Sequence, residues 1–84
     1  MYQTDDIGLA TTLILVERAK VINVSGGRKK LFLFDRDEES YKETILKYYG
    51  RESLLISPFD FVLSMRGLKG MIYGNGISRE QETK

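Results

Sequence analysis

The sequence predicts a small α+β domain: a helix, an antiparallel β-hairpin that one further extended stretch could join as a short third strand, then two helices packed on the small sheet. Three observations carry this expectation. Two β-prone runs, "AKVINV" and "KKLFLF", flank the pair Gly26–Gly27, and paired glycines between such runs are a hairpin signal. Apolar residues recur at helical spacing in three other stretches. Gly50, Pro58 and Gly74 sit where helices would stop or start, because glycine ends helices and proline opens them.

The first helix is read from "TDDIGLATTLILVERAK". Thr4 is the expected N-cap, its hydroxyl accepting from an amide of the first turn. Asp5 and Asp6 then fall where the helix dipole favours negative charge. Ile7, Ala10, Leu13 and Ile14 form the expected buried stripe. Gly8 is expected to allow another backbone close to the helix. The hairpin follows, with a turn of two to four residues beginning at Gly26. The second helix, "DRDEESYKETILKYYG", is capped by Asp35 or Asp37, with Glu38 and Glu39 in its first turn. Tyr41, Ile45 and Tyr48 give it a buried face, which Leu46 and Tyr49 widen. Gly50 stops it. "RESLLIS" is short and extended, a candidate for the third strand. Ser57 and Pro58 open the third helix. Its stripe is Phe61, Val62, Met65, Leu68 and Ile72, and Gly74, Asn75 and Gly76 end it. Residues 1–76 form one domain, and 77–84 read as a polar, disordered tail.

Composition narrows function more than any motif does. The chain has 84 residues, with 42% hydrophobic and 30% charged, the balance of an ordinary soluble domain. A domain this short buries only roughly 60–65% of its unfolded surface, so its core is thin. No apolar run approaches the length that spans a bilayer. The opening "MYQTDD" is acidic and polar and reads as neither signal nor transit peptide. The expected location is therefore cytoplasmic, with no membrane partner. Cysteine and histidine are both absent. That removes disulfides, thiolate and imidazole metal sites, and the usual nucleophile–base pairs. Carboxylate, lysine and tyrosine chemistry is what remains. No cofactor and no metal are expected.

Net charge is +1, so the whole molecule exerts no strong pull on nucleic acid. Locally the balance is uneven. Arg28, Lys29, Lys30 and Arg36 against Asp35 leave +3 over residues 28–36, and residues 37–49 sum to −2. The stretch "SGGRKK" could be a phosphate cradle or a hairpin turn. A phosphate loop needs G-x-x-x-x-G-K-[ST] running from a strand into a helix, which adds amides and dipole. Here the glycines lie between two strands, and no Ser or Thr follows the lysine. The turn reading is favoured, its cations keeping an edge strand soluble. A basic tip touching a nucleic-acid backbone is the second reading.

Other candidates are weaker. A calcium loop counted from Asp35 would need glycine sixth and glutamate twelfth, and those places hold Ser40 and Leu46. The acidic run is better read as a helix start. "GLKG", Gly67 to Gly70, matches the backbone clamp of KH domains. It lacks the surrounding strand and helix order, so small residues at a close packing contact are the better reading. Tyr2, Tyr41, Tyr48, Tyr49, Phe59 and Phe61 could stack bases, but aromatics at helical spacing are more often core. Tyr49 and Phe59 lie off the main stripes of their helices. If exposed, they mark a protein interface.

"YQTDDIGLATTL", "GRKKLFLFD" and "SPFDFVLSMRGLKGMIY", in this order and spacing, resemble a family of short phage and prophage proteins known as a domain of unknown function. The likeness covers about residues 2–73. Its features are the Thr4-x-Asp6-Ile7-x-Leu9-Ala10 opening, a hairpin ending Phe32-x-Phe34, and a final amphipathic helix with a basic residue beside Leu68. An aromatic near Tyr48–Tyr49 also fits. The glycine that relatives carry between first helix and first strand is missing from "VERAK". The resemblance implies a mobile-element origin and no particular activity.

Together these readings lead to a small phage-type accessory protein without catalysis. It would bind a protein partner or itself through the "LFLF" edge (Leu31, Leu33) and the aromatic side of helices two and three (Tyr49, Phe59). Inhibition or modulation of a host process, such as defence or replication, suits the size and the implied origin. The alternative is a nucleic-acid accessory module using Arg28, Lys29, Lys30, Arg66 and Lys69, which requires all five cations on one face. A weak enzyme or small-ligand binder would need a deep pocket lined by tyrosine and carboxylate.

Overall fold

A computed structural model describes residues 1–74 of the chain. The element order is β1 (Gln3–Thr4), α1 (Ile7–Glu17), β2 (Val21–Ser25), β3 (Leu31–Phe34), α2 (Glu38–Tyr49) and α3 (Pro58–Gly74). The α+β class and the helix–hairpin–helix–helix order follow the expectation from sequence. The expected tail, 77–84, and the stop residues Asn75 and Gly76 lie outside the described residues.

The sheet has three antiparallel strands in the order β1-β3-β2. The third strand is not "RESLLIS". It is Gln3–Thr4, pairing with Leu33 and Phe32, and the pairing extends through the Tyr2 carbonyl, which accepts from the Phe34 amide at 2.8 Å. Residues 52–57 belong to no strand or helix. β3 is therefore the central strand, and the "LFLF" run offers no edge. The hairpin loop is longer than expected: β2 ends at Ser25 and β3 begins at Leu31. Gly26 takes the left-handed φ of +98° that the turn needs, a cheap conformation only for glycine.

Alternation sends Phe32 and Phe34 to the helix side of the sheet, where both are buried. With Leu9, Ala10, Leu13, Ala19, Tyr41 and Leu68 they make the core. α1 is the centre of the molecule, with α2 and α3 both packed on it. Its expected stripe of Ile7, Ala10, Leu13 and Ile14 is only part of what it buries. Leu9, Thr11 and Thr12 are buried too, whereas Ile7 and Ile14 are half-buried. The two threonines tolerate this because their hydroxyls donate back one turn, to the Ile7 carbonyl at 2.7 Å and the Gly8 carbonyl at 2.9 Å.

The ends of the helices differ in detail from expectation. Asp6, not Thr4, caps α1: its Oδ1 accepts from the amides of Gly8 (2.9 Å) and Leu9 (3.1 Å). Thr4 is held in β1 and accepts from the Asp6 amide. Asp37 stands at the cap position of α2 without a side-chain capping bond, its carboxylate pairing instead with the N-terminal ammonium at 3.4 Å. Asp35 instead accepts from the Tyr41 hydroxyl at 2.9 Å. α1 ends at Arg18, in left-handed backbone with φ 56°, and the Ala19 amide reaches back to the Leu13 carbonyl at 3.3 Å. The Arg18 amide reaches the same carbonyl. A left-handed residue closes many helices, and here it is arginine where glycine is preferred. Gly50 caps α2 in right-handed backbone, and the left-handed turn falls on Arg51, φ 60°.

Candidate functional site

The five cations are placed by two different parts of the fold. The hairpin loop brings Lys29 Nζ to 2.9 Å from Asp5 Oδ2, just before α1 begins. That hydrogen bond and the ammonium charge hold the Asp5 carboxyl below its ordinary range. Lys30 turns back on its own loop, donating to the Gly26 carbonyl at 3.1 Å. Arg28 is exposed and has no carboxylate partner among the described residues. Arg66 and Lys69 are exposed one turn apart on α3. The neighbouring Gly67 and Leu68 border Ile14 and Ala19, at the other end of α1. Asp5 and Ile14 are nine residues apart, about 14 Å along a helix at 1.5 Å per residue. The fold thus engages Lys29 and Lys30 in local bonds and sets Arg28 apart from Arg66 and Lys69 along α1.

The apolar candidates divide similarly. Leu31 and Leu33 lie on the sheet face opposite Phe32 and Phe34, half-buried, with Ser25 beside the first and Gln3 and Asn23 beside the second. Tyr49 is 58% exposed and Phe59 is 70% exposed. Neither Leu46 nor Tyr49 widens the buried face of α2: both stand in water. The buried face of α2 is Tyr41 and Thr44, with Ile45 and Tyr48 packed alongside.

α3 carries a surface that sequence reading missed. Its inner stripe holds Leu68, fully buried, with Phe61, Met65 and Ile72 half-buried. Val62, expected in that stripe, is 45% exposed, and Leu63 is 46% exposed. With Phe59 they occupy positions i, i+3 and i+4, which share one helix face. The signal was present: apolar residues at that spacing run along both sides of the helix, and a helix apolar all round needs cover all round. Gly67 and Gly70 are inside α3, so "GLKG" is not a loop. Nor does another element pack closely there: a methyl at either position would meet nothing within 4 Å.

Beside this helix runs an open apolar groove of about 240 Å³, between Ile14 and Ala19 on one side and Ser64, Leu68 and Met71 on the other. A hollow of about 220 Å³ continues it along β2, from Val21 to Val24, with Met71 again at its border. No titratable side chain lines either.

The tyrosine–carboxylate pairs lie elsewhere and hold elements together. Asp6, besides capping α1, accepts from the Tyr48 hydroxyl at 3.1 Å and the Tyr49 hydroxyl at 3.3 Å. The two rings meet edge to face, 5.1 Å between centroids. Burial raises the Tyr48 phenol, and the Asp6 charge adds to it; Tyr49 is raised in the same way. At the opposite end of α1, Arg36 lies 4.8 Å over the Tyr41 ring and donates to the Glu17 carbonyl. Thr44 donates to the Glu17 carboxylate. The Tyr41 hydroxyl holds Asp35 below its ordinary pKa, and burial raises Tyr41 itself. Among the described residues no group of three or more carboxylates is placed to hold a metal ion, and no helix is long and apolar enough to cross a membrane.

No family model matches the chain, and neither a curated protein nor a solved structure does.

Proposed function

We propose that this chain is a small accessory protein that acts by binding another protein through the outer face of α3, without a catalytic step. The observation that carries this reading is the set Phe59, Val62 and Leu63, three large apolar side chains on one helix face and 45–70% exposed. Taking a side chain of this kind from full exposure to full burial contributes roughly 1.5–3 kcal/mol, and a partner that covers the face gains the share still exposed on each. Gly67 and Gly70 leave room on the same helix for the partner to approach. Tyr49 and Leu46 on α2 are further exposed apolar groups. The phage-type setting and the action on a host process rest on the sequence resemblance alone, and the cytoplasmic location rests on composition and the polar opening of the sequence.

The test is affinity capture from a cell lysate with the tagged chain as bait, with and without nuclease. A single protein retained after nuclease treatment is the expected result. Loss of the captured material on nuclease treatment would overturn the reading in favour of nucleic-acid binding.

A further inference from the structure

Two pieces of this molecule are prepared for β-pairing and have no partner within the described residues. One is the outer edge of β2. β2 pairs with β3 on one side and with no described strand on the other. Alternate residues of an antiparallel strand direct their amide and carbonyl away from the existing neighbour. The strand, "VINVS", contains no charge and no proline. A bulge falls at Ile22, but Asn23, Val24 and Ser25 keep regular register against β3. The hollow bordered by Met71 runs alongside this edge.

The other piece is the connection between α2 and α3. Its sequence, "ESLLIS", has strand character. Residues 52–57 belong to no helix or sheet. Leu55 is fully exposed, at 105% of the reference area, and Leu54 and Ile56 on either side are half-buried. Both ends are anchored: the Glu52 amide donates to the Lys47 carbonyl, and the Ser57 carbonyl accepts from Phe61. The segment pairs with no strand of its own chain.

We propose that the β2 edge of one copy is paired by the Glu52–Ser57 segment of a second copy, with Leu55 or a neighbour seated in the hollow beside Met71. Charge selects this occupant. Residues 18–30, which bracket β2, contain five cations and no acid. The Glu52–Ser57 segment contains one acid, Glu52, and no cation, with Arg51 just before it and Asp60 beyond it in α3. Cations flanking an edge, Arg18, Lys20 and Arg28 among them, oppose pairing of β2 with another β2 while admitting a segment that carries no cation. A reciprocal exchange of the two segments closes a dimer. The surface is separate from the Phe59–Leu63 face, so this pairing stands independently of the binding reading above.

The experiment is sedimentation of the purified full chain from micromolar to millimolar concentration, together with mixed-chain cross-linking. The chain has no cysteine, so a Leu55→Cys chain and an Asn23→Cys chain can be mixed and joined by a short bis-maleimide. The expected results are a concentration-dependent dimer and a cross-linked product containing one chain of each kind. Leu55→Glu, at a site that contacts nothing in the monomer, should weaken association by about tenfold or more. Glu52→Lys should weaken it as well, whereas Phe59→Asp should leave it unchanged. A chain that stays monomeric at millimolar concentration overturns the proposal. So does a dimer insensitive to Leu55→Glu, or one lost with Phe59→Asp alone, which would place self-association on α3.

Discussion

Gly8 shows how much of this fold is decided by single side chains. A methyl group there would collide with the Tyr48 hydroxyl oxygen and lie 3.4 Å from the ring carbon that bears it. The close approach at this glycine is by a side chain, not by the second backbone expected from sequence. Gly8 thus keeps open the path by which Tyr48 reaches Asp6, 42 residues away in sequence. In the native chain, Gly8→Ala should displace that hydroxyl and cancel the gain of about 1 kcal/mol that alanine normally brings to a helix. In a Tyr48→Phe background the obstructing oxygen is gone, and the same substitution should stabilise by close to that amount. Urea denaturation of the four chains of the cycle measures the coupling, which should be about 1 kcal/mol or more. Additive effects would show that Gly8 and Tyr48 do not interact. Nothing in the sequence revealed this contact, because Asp6 and Tyr48 carry no local pattern that joins them. Thr4, a sound cap on local grounds, lost that role to Asp6 once strand pairing claimed its backbone.

Elements with their own punctuation were legible in the sequence, and elements defined by tertiary contact were not. Ser57–Pro58 marked the start of α3, Gly50 the end of α2, and Gly26 the turn. β1 is only two residues long and exists because β3 is beside it. α1 lacked a clear polar face because it is packed by both other helices, so its stripe was read too narrowly. Two expectations belong to this scale. Arg18 closes α1 in left-handed backbone, a conformation costing a non-glycine residue roughly 1–2 kcal/mol. Arg18→Gly, after the cost of glycine's unfolded freedom, should stabilise by about 0.5–1 kcal/mol. The thermal midpoint should rise by about 4–8 °C per kcal/mol in a domain of this size. Gly67→Ala and Gly70→Ala, both pointing into open space within a helix, should each add about 1 kcal/mol of stability. If α3 is the binding face, the same substitutions should weaken capture of the partner, so stability and binding move in opposite directions. A rise in both would place the partner elsewhere.

At the scale of the whole molecule, ionisable groups set the pH range of the fold. Tyr2, Tyr41, Tyr48 and Tyr49 are all raised, chiefly by burial. Each contributes stability that is fully present below the ordinary phenol value of about 10. That contribution is lost as pH rises through the higher folded values. Asp35 and Asp5 are lowered, first by hydrogen bonds from Tyr41 and Lys29. Their contribution is present above the ordinary carboxyl value of about 3.9 and is lost as pH falls through the folded values beneath it. Denaturation midpoints should therefore form a plateau between these limits and fall on both sides. Tyr41→Phe should flatten the acid limb through loss of the bond to Asp35. Of the candidate surfaces, Tyr49 and Phe59 were legible as exposed aromatics, but Val62 and Leu63 were not, since an inner and an outer apolar stripe have the same period. The central claim is that the outer face of α3 meets a protein. Its most direct test is quantitative capture, under nuclease, with the native chain and the Phe59→Asp/Leu63→Asp double variant as parallel baits. The account expects one protein retained by the native chain and lost from the variant, while circular dichroism and the thermal midpoint of the variant remain native-like. Equal retention of that protein by both baits would contradict it.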